Sequence, residues 1–271
     1  MKAVILCGGQ GTRLREETEY KPKPMVEIGG RPILWHIMKS YASYGITEFV
    51  LCLGYRGSII REYFLHYGRM RNDFTIQLGS GDISVHNQHD EEDWTVTLVD
   101  TGQETRKGRR IKMIEHYLNG EAFMLTYGDG VADVNMSDLR ACHEKHGKIV
   151  TFTGVRPRSR WATVDLDLDG SVRGWKEKRQ IESRINGGYF VMQPQIFDFL
   201  HEDQELEEEP MEALAALNEV VMYPHDGFWE CMDTYRDYSF LNALWDRNEA
   251  PWAVWKNAQD GGKKIASAAS E

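Results

Sequence analysis

Glycines and a cation follow the first apolar segment of the chain at a spacing that suits an anionic ligand. The stretch VILCGGQGTRL (residues 4–14) runs into Gly8, Gly9 and Gly11 and then supplies Arg13. A turn without side chains lets backbone N–H groups approach a ligand closely, and the arginine favours a phosphate chain. The stretch therefore predicts a phosphate-binding turn. A tight strand-to-helix turn that binds nothing is the alternative.

This turn matches neither of two familiar glycine motifs. The dinucleotide fingerprint G-x-G-x-x-G requires a third glycine where this chain has Leu14. The P-loop requires a Lys-Ser or Lys-Thr pair, and no such pair closes this turn. The first mismatch argues against an NAD-dependent oxidoreductase.

Two aspartates and one lysine could complete a phosphate site, although each also has an ordinary structural reading. Asp129 lies in YGDG, Asp233 in CMDT and Lys23 in KPKP. Mg²⁺ commonly takes one or two protein carboxylates together with phosphate oxygens and water. By itself, Asp129 could be a turn-forming Asp-Gly, Asp233 a helix N-cap, and Lys23 an exposed lysine. The residues alone leave both readings open.

The elements that would position these residues alternate along the first half of the chain. Apolar runs at AVILCGG, EFVLCLGY, WTVTLVDTG and AFMLTYGDG predict strands, and RPILWHIMKSYASYG, SIIREYFLHYG and GRRIKMIEHYL predict helices. This succession predicts an α/β fold with a Rossmann-like, mostly parallel sheet sandwiched by helices. Such sheets bind ligands outside the carboxyl ends of their strands, where the glycine turn, LVDTG and TYGDG fall. The polar segment at residues 74–94 interrupts the alternation and predicts a small β insertion.

Composition limits the class of protein. The chain has 271 residues, of which 41% are hydrophobic and 27% charged, as in an ordinary globular protein. Its net charge of −10 disfavours nucleic acid and anionic membranes as partners. The four cysteines lack metal-ligand spacing, and no apolar run is long enough for a membrane span, so we expect a cytoplasmic protein with reduced thiols. We expect one domain over residues 1–256 and a flexible tail over 257–271.

Taken in order, a series of motifs resembles the sugar-phosphate nucleotidyltransferases. The series covers about residues 1 to 256 and consists of CGGQGTRL, KPKPMVEIGGRPILWHI, GYRGSIIREYF, VTLVDTG, TYGDGVADVN, INGGYF, HDGFWECMDTYRD and APWAVW. The resemblance implies an enzyme that joins CTP and a sugar 1-phosphate, with α-D-glucose 1-phosphate as the best match, to give a CDP-sugar and pyrophosphate. It also implies Mg²⁺ as cofactor, a homo-oligomer and a role in nucleotide-sugar and polysaccharide biosynthesis. Another acceptor, another nucleoside triphosphate or an inactive nucleotide-binding module are the alternatives.

The resemblance also implies a role for each matching residue. Arg13 and Lys23 would be the catalytic cations, and Asp129 and Asp233 would hold Mg²⁺. The implied nucleotide contacts are Leu6, Gly8, Gly9, Gly11, Thr12, Arg13, Lys23, Thr101, Gly102, Thr105, Arg110 and Gly128. The implied sugar-phosphate contacts are Glu177, Lys178, Asn186 and Gly187.

The chain departs from the family pattern near the acceptor. Arg179 stands where the family has proline after Lys178, and SRWAT (residues 159–163) replaces a Gly-Arg-Phe-Gly-Ala type of segment. The linker QIESR (residues 180–184) is also altered. Because these departures lie around the acceptor while the nucleotide motifs are intact, they bear on the acceptor more than on CTP.

Overall fold

The computed structural model describes residues 1–9, 11–86, 91, 93–158, 161–176, 183–201 and 203–256. Its α-helices are α1 (Arg15–Thr18), α2 (Ile33–Ala42), α3 (Gly57–Leu65), α4 (Tyr67–Arg71), α5 (Lys107–Met113), α6 (Met136–His146), α7 (Glu209–Ala216) and α8 (Tyr235–Asp246). Short 3₁₀ turns cover Thr12–Leu14, Lys23–Met25, Glu115–Tyr117 and Pro194–Asp198. The strands are β1 (Ala3–Cys7), β2 (Glu27–Ile28), β3 (Arg31–Pro32), β4 (Glu48–Leu53), β5 (Phe74–Ile76), β6 (Ile83–Val85), β7 (Thr95–Asp100), β8 (Phe123–Tyr127), β9 (Gly130–Ala132), β10 (Val150–Val155), β11 (Thr163–Leu166), β12 (Val172–Lys176), β13 (Ile185–Met192), β14 (Val220–His225) and β15 (Trp229–Cys231).

A seven-stranded sheet forms the centre of the molecule, in the order β14-β10-β13-β8-β1-β4-β7. Strand β1 pairs in parallel with β4 and β8, and β4 pairs in parallel with β7. Strand β13 runs antiparallel to both of its neighbours, β8 and β10. The predicted α/β class with a mostly parallel sheet is therefore confirmed. The carboxyl ends of β1, β4, β7 and β8 all meet at one edge.

Both faces of this sheet are covered, and the side chains of β1 show how. Ala3, Ile5 and Cys7 point into one buried cluster, and Val4 and Leu6 point into the other. The first cluster contains the apolar face of α2, and the second contains α5 and α7. Because successive residues of a strand face opposite sides, a strand covered on both faces is apolar throughout. This explains the uninterrupted run AVILC.

The helix boundaries differ locally from the sequence predictions. The helix expected over residues 58–68 is divided into α3 and α4 at His66, whose φ of −108° and ψ of 12° are not helical. The helix expected over 108–118 ends at Met113 and continues as a 3₁₀ turn. Helix α2 begins directly after Pro32, as predicted from that proline.

Four two-stranded antiparallel ribbons accompany the central sheet in the described part of the chain. The predicted β insertion is present as the β5–β6 hairpin, in which Phe74 pairs with Val85. A second ribbon, β11–β12, was not predicted, and its apolar residues Leu166 and Trp175 are exposed. Across the described residues, we find no helix with the length and apolar character needed to cross a bilayer.

Candidate active site

A cleft of about 560 Å³ opens where the carboxyl ends of β1 and β8 meet. Its volume is typical of a site for a nucleotide-sized ligand. Most of the predicted site residues line it: Leu6, Gly8, Gly9, Gly11, Arg13, Lys23, Thr105, Arg110, Gly128, Asp129, Asn186 and Asp233. The structure therefore brings together residues from the glycine turn, the lysine loop and both aspartate motifs.

The ammonium group of Lys23 joins the two predicted acids. Lys23 Nζ lies 2.7 Å from Oδ2 of Asp129 and 2.6 Å from Oδ1 of Asp233. Nη1 of Arg13 donates to the other carboxylate oxygen of Asp233, Oδ2, at 2.9 Å. Two carboxylates and two cations thus form one charged network on the wall of the cleft.

Pairing of two short strands places the acids next to each other. Strand β9 follows Asp129 and pairs antiparallel with β15, so that Gly130 lies opposite Cys231. The backbone N–H of Met232 also donates to the carbonyl oxygen of Asp129 at 2.9 Å. Asp129 and Asp233 are more than a hundred residues apart in the sequence. Because this ladder ends at the two acids, it fixes the distance between them in space.

The helix that follows Asp233 does not use it as a cap. Thr234 is the N-cap of α8, and Thr234 and Asp237 form a reciprocal capping box. The Asp233 side chain is therefore left to contact Lys23 and Arg13. The N-cap reading of Asp233 is wrong, because the neighbouring threonine satisfies the helix end instead.

Lys23 is held as a cation although it is almost fully buried. Its residue is 8% exposed and opens the 3₁₀ turn Lys23–Met25, between Pro22 and Pro24. Burial favours the neutral amine, but the charge of Asp129 and the hydrogen bonds to both acids outweigh it and raise the pKa of Lys23. The exposed-lysine reading is therefore wrong.

The same two acids fit a divalent cation. Asp129, Cys231 and Asp233 each offer one ligand atom, and these atoms lie within 4.8 Å of one another. Carboxylate oxygens are the ligands that Mg²⁺ prefers, and the ammonium already held between them shows that the pair attracts a cation. Burial raises the pKa of the Cys231 thiol well above its usual range, and the charge of Asp129 adds to this effect. Asp129 and Asp233 would hold the ion.

Arg110 connects the loops at the other side of the cleft. Its Nη1 donates to the backbone carbonyls of Leu53 and Gly102 and to Oγ1 of Thr101, at 3.2, 2.6 and 2.8 Å. Its Nη2 donates to the carbonyls of Gly8 and Gln103, at 3.3 and 3.1 Å. The guanidinium thereby ties the ends of β1, β4 and β7 together.

The glycine turn is shaped by this arginine as much as by a ligand. A Cβ atom built on Gly8 would lie 2.2 Å from Nη1 of Arg110, so only glycine leaves room for the guanidinium. A Cβ on Gly9 would meet nothing within 4 Å. Gly11 has a φ of +62°, which favours glycine. The open side at Gly9 is the part of the turn that a phosphate chain could approach.

Of the remaining predicted nucleotide contacts, some line the cleft and others do not. Thr105 lines the cleft, whereas Thr101 is fully buried and donates to the carbonyl of Leu53 at 2.7 Å. The Thr101 side chain thus supports Arg110, and the predicted part of Thr101 in nucleotide binding stays a prediction. Gly102 accepts a hydrogen bond from Arg110 and does not line the cleft. The side chain of Thr12 is outside the described part of the structure.

The predicted sugar side is only partly described. Asn186 lines the cleft and donates to Oη of Tyr127 at 3.2 Å. Gly187 lines a smaller adjoining pocket, and its carbonyl accepts from Nε1 of Trp229 at 2.7 Å. Glu177, Lys178 and the altered positions 159–160 and 179–182 lie outside the described residues.

Sequence reasoning missed several side chains of the cleft. Cys231 and Trp229 belong to the motif that was noted for Asp233, but no role was drawn for them. Glu205 and Glu207 belong to the acidic run HEDQELEEE (residues 201–209), a pattern typical of an exposed charged face. Instead both pair with Nζ of Lys107, at 3.4 and 2.7 Å, and Glu205 lines the cleft. A run of charges does not reveal which members will meet an oppositely charged neighbour, so no signal in the sequence could have found this pair.

Comparison with known proteins identifies the family to which the chain is similar. A model described as "Nucleotidyl transferase" matches residues 2–249. The chain is 46% identical over 259 residues to a glucose-1-phosphate cytidylyltransferase of Salmonella typhi, covering 94% of this chain and 100% of that protein. It is 42% identical over 257 residues to a probable glucose-1-phosphate cytidylyltransferase of Bacillus subtilis (strain 168), covering 94% and 100%. Among solved structures, HddC from Yersinia pseudotuberculosis matches with a TM-score of 0.65 at 20% identity, covering 90% of this chain and 99% of that one, which shows the fold alone.

Proposed function

The chain belongs to the nucleotidyl transferase family, and we propose that it joins CTP and a sugar 1-phosphate, with α-D-glucose 1-phosphate as the preferred acceptor, to form a CDP-sugar and pyrophosphate. The observation that carries this proposal is the position of Lys23 between Asp129 and Asp233, in the same cleft as the glycine turn. An ammonium, two acids and a bare backbone turn are the groups that a phosphate-transfer site needs.

The reaction is an in-line substitution at phosphorus. A phosphate oxygen of the sugar 1-phosphate attacks the α-phosphorus of CTP, the new P–O bond forms, and the bond to the β-phosphate breaks to release pyrophosphate. Catalysis of this step consists mainly of positioning and charge neutralisation. Alignment of two bound reactants can contribute on the order of 7–11 kcal/mol to lowering the barrier.

The cations of the cleft supply this positioning. Lys23 would donate to the α-phosphate and to the attacking phosphate, because its ammonium is charged, buried and held at the centre of the site. The Arg13 side chain is exposed, so it could lie along the triphosphate. There its guanidinium would stabilise the negative charge of the departing pyrophosphate. Mg²⁺ held by Asp129 and Asp233 would neutralise charge on the phosphates and make the α-phosphorus more electrophilic.

The nucleotide contacts divide into two groups. Leu6, Gly9, Gly11, Thr105 and Gly128 would contact CTP directly, since they line the cleft. Arg110 and the buried Thr101 would keep the three loops at the correct spacing. Arg110 also lines the cleft, so its direct contact with the nucleotide remains part of the proposal.

The acceptor would bind on the side of Asn186 and Gly187. Glu177 and Lys178 are proposed to contact the sugar hydroxyls and the phosphate, by the family resemblance of their motif. Relatives with 46% and 42% identity over most of the chain support CTP and glucose 1-phosphate as substrates. A homo-oligomeric assembly and a cytoplasmic location stay predictions from the sequence.

The proposal is tested by measuring pyrophosphate release with CTP, Mg²⁺ and glucose 1-phosphate. Parallel reactions with UTP and dTTP measure base selection, and a panel of other sugar phosphates measures acceptor selection. Turnover with CTP and a different acceptor would replace glucose 1-phosphate, and turnover with a different triphosphate would replace CTP. Absence of turnover with all of them would identify an inactive nucleotide-binding module.

Within the same assay, Lys178→Ala separates the two half-sites. We expect the KM for the sugar phosphate to rise while the KM for CTP changes little. A selective loss of CTP affinity would show that Lys178 belongs to the nucleotide side.

A further inference from the structure

The side-chain amide of Asn186 is held at both ends beside the cleft. Its Oδ1 accepts from the backbone N–H of Gly188 at 2.8 Å, and its Nδ2 donates to Oη of Tyr127 at 3.2 Å. Because a backbone N–H can only donate, the contact with Gly188 determines which end of the amide is the oxygen. The Asn186 amide therefore has one orientation, with its NH₂ group on the side of Tyr127.

The hydroxyl of Tyr127 is oriented to match this amide. It donates its hydrogen to Oε1 of Glu207, whose Oε2 pairs with Nζ of Lys107 at 2.7 Å. A carboxylate paired with an ammonium accepts hydrogen bonds and has no proton to donate. The hydroxyl oxygen of Tyr127 is thus left to accept from Asn186. The hydrogen bonds run in one direction, from Asn186 through Tyr127 to Glu207.

Packing around the ring of Tyr127 supports this orientation. Tyr127 ends β8, and the Lys107 ammonium lies 5.6 Å from the centre of its ring. A Cβ atom built on Gly188 would lie 2.6 Å from Cδ2 of Tyr127, and Gly188 has a φ of +80°. Glycine is therefore needed at this position both for the backbone and for the ring, which gives a physical reason for the second glycine of INGGYF.

One N–H of the Asn186 amide remains for a ligand. The amide carries two, of which Tyr127 takes one, and the described residues provide no acceptor for the other. Asn186 lines the cleft on the side proposed for the sugar phosphate. We propose that Tyr127 is a positioning residue for the acceptor: its hydroxyl, oriented by Glu207, holds the Asn186 amide so that its free N–H donates to an oxygen of the sugar 1-phosphate. The inference rests on the proposed function, because it concerns the acceptor of that reaction.

Tyr127→Phe tests the role of the hydroxyl, since it keeps the ring. We expect the KM for the sugar 1-phosphate to rise about 3- to 10-fold, the factor that corresponds to one hydrogen bond, while the KM for CTP changes little. Tyr223→Phe, on β14 and outside the lining of the cleft, is the matched control and should leave both KM values unchanged. An unchanged KM for the sugar phosphate in Tyr127→Phe, or an equal rise in both KM values, would overturn the proposal.

A double-mutant cycle tests whether Tyr127 acts through Asn186. Residues that share one hydrogen bond have non-additive effects, whereas independent residues have additive ones. In the Asn186→Ala background, Tyr127→Phe should therefore add little to the KM for the sugar phosphate. The same rise in both backgrounds would show that the hydroxyl acts without Asn186, and would overturn the positioning role.

Two substitutions of Glu207 test the far end of the chain of hydrogen bonds. Glu207→Gln keeps an amide oxygen that can accept from Tyr127, whereas Glu207→Ala removes the acceptor. Lys107 retains its second partner, Glu205, in both variants. We expect the KM for the sugar phosphate to rise in Glu207→Ala and to stay near the unsubstituted value in Glu207→Gln. Equal KM values in the two variants, with folding verified by thermal unfolding, would contradict the role of Glu207.

The same measurements separate this inference from the proposed function. Turnover of CTP with a sugar phosphate, together with unchanged KM values in Tyr127→Phe, would remove the positioning role alone. If the unsubstituted protein released no pyrophosphate with any pair of substrates, the proposed function would fail, and the positioning role would fail with it.

Discussion

Lys23 Nζ lies 2.6 Å from Oδ1 of Asp233, although 210 residues separate them in the chain. The same ammonium bonds Asp129, so it reduces the repulsion between the two neighbouring acids. In the complex with substrates, the carboxylates would bind a metal ion and the ammonium would bind the triphosphate, so the contact between them would have to be broken or weakened. The contact therefore links the stability of the free protein to its ability to bind a cation.

Replacing Lys23 should expose that link. In Lys23→Met, Asp129 loses the ammonium paired with it and Asp233 keeps the exposed Arg13, so we expect the metal-free protein to unfold at a lower temperature. Removing one partner of a buried ion pair can cost about 3–5 kcal/mol, and the partial exposure of the acids here reduces the cost to about 1–3 kcal/mol. Added Mg²⁺ should raise the melting temperature more in the variant than in the unsubstituted protein. Equal shifts measured by calorimetry would show that Lys23 and the metal do not compete.

The two residues at the start of α8 should have separable effects. Asp233→Asn should abolish Mg²⁺-dependent turnover while the fold stays intact, because Asp129 still pairs with Lys23. Thr234→Ala removes the N-cap of α8, so we expect a loss of about 1 kcal/mol in the free energy of unfolding with most of the turnover retained. Urea unfolding and the pyrophosphate assay measure the two properties on both variants. Full activity in Asp233→Asn would remove this residue from the metal site.

Arg110→Lys should loosen the loops that meet at the cleft. A single ammonium cannot replace the guanidinium fork, which donates to four carbonyls and one hydroxyl. We expect the free energy of unfolding to fall by about 1.5–3 kcal/mol, which is the contribution of a hydrogen bond to a charged group. We also expect the KM for CTP to rise roughly tenfold, because the loops that contact CTP are no longer held in place. Arg109→Lys, at the neighbouring exposed position, is the matched control. An Arg110→Lys protein with an unchanged KM for CTP would argue against loop positioning by Arg110.

The buried His36 should make the fold sensitive to acid. Burial lowers its pKa from 6.5 to about 4, and its two ring nitrogens bond the carbonyl of Ile28 and the indole N–H of Trp252. The unfolded chain takes up this proton near pH 6.5, whereas the folded protein resists it until about pH 4. Stability should therefore be complete above pH 6.5 and fall by about 3 kcal/mol as the pH drops to 4.

His36→Gln is the matched variant for this effect, because a glutamine amide can still donate to the carbonyl of Ile28. We expect the free energy of unfolding to lose much of its dependence on pH between 4 and 6.5. Part of the slope should remain, since burial also lowers the pKa of His143 to about 4. A slope identical to that of the unsubstituted protein would assign the whole effect to other groups.

Metal removal should separate binding from chemistry. Without a divalent cation, pyrophosphate release should be lost, whereas CTP should still protect the protein against heat through the glycine turn and Arg13. Restoring Mg²⁺ should restore turnover. Undiminished turnover after thorough chelation would contradict the proposed role of Asp129 and Asp233.

The local patterns of the sequence determined much of the architecture. The apolar run at residues 3–7 predicted a strand buried on both faces, and the structure confirms it. The alternation of strands and helices predicted the parallel sheet, and with it the edge where the cleft opens. Helix ends were predicted less accurately, as the division at His66 shows, because a break depends on one residue's backbone angles rather than on a repeating pattern.

The order of the elements, the glycine turn and the motif series that indicates the family can all be read from the sequence. The contacts between distant side chains cannot: they join Lys23 to Asp129 and Asp233, Arg110 to the glycine turn, and Cys231 to the two acids. Periodicity reports which face of an element a residue occupies, whereas the distance between two side chains depends on how the elements pack and on the register of ladders such as β9–β15.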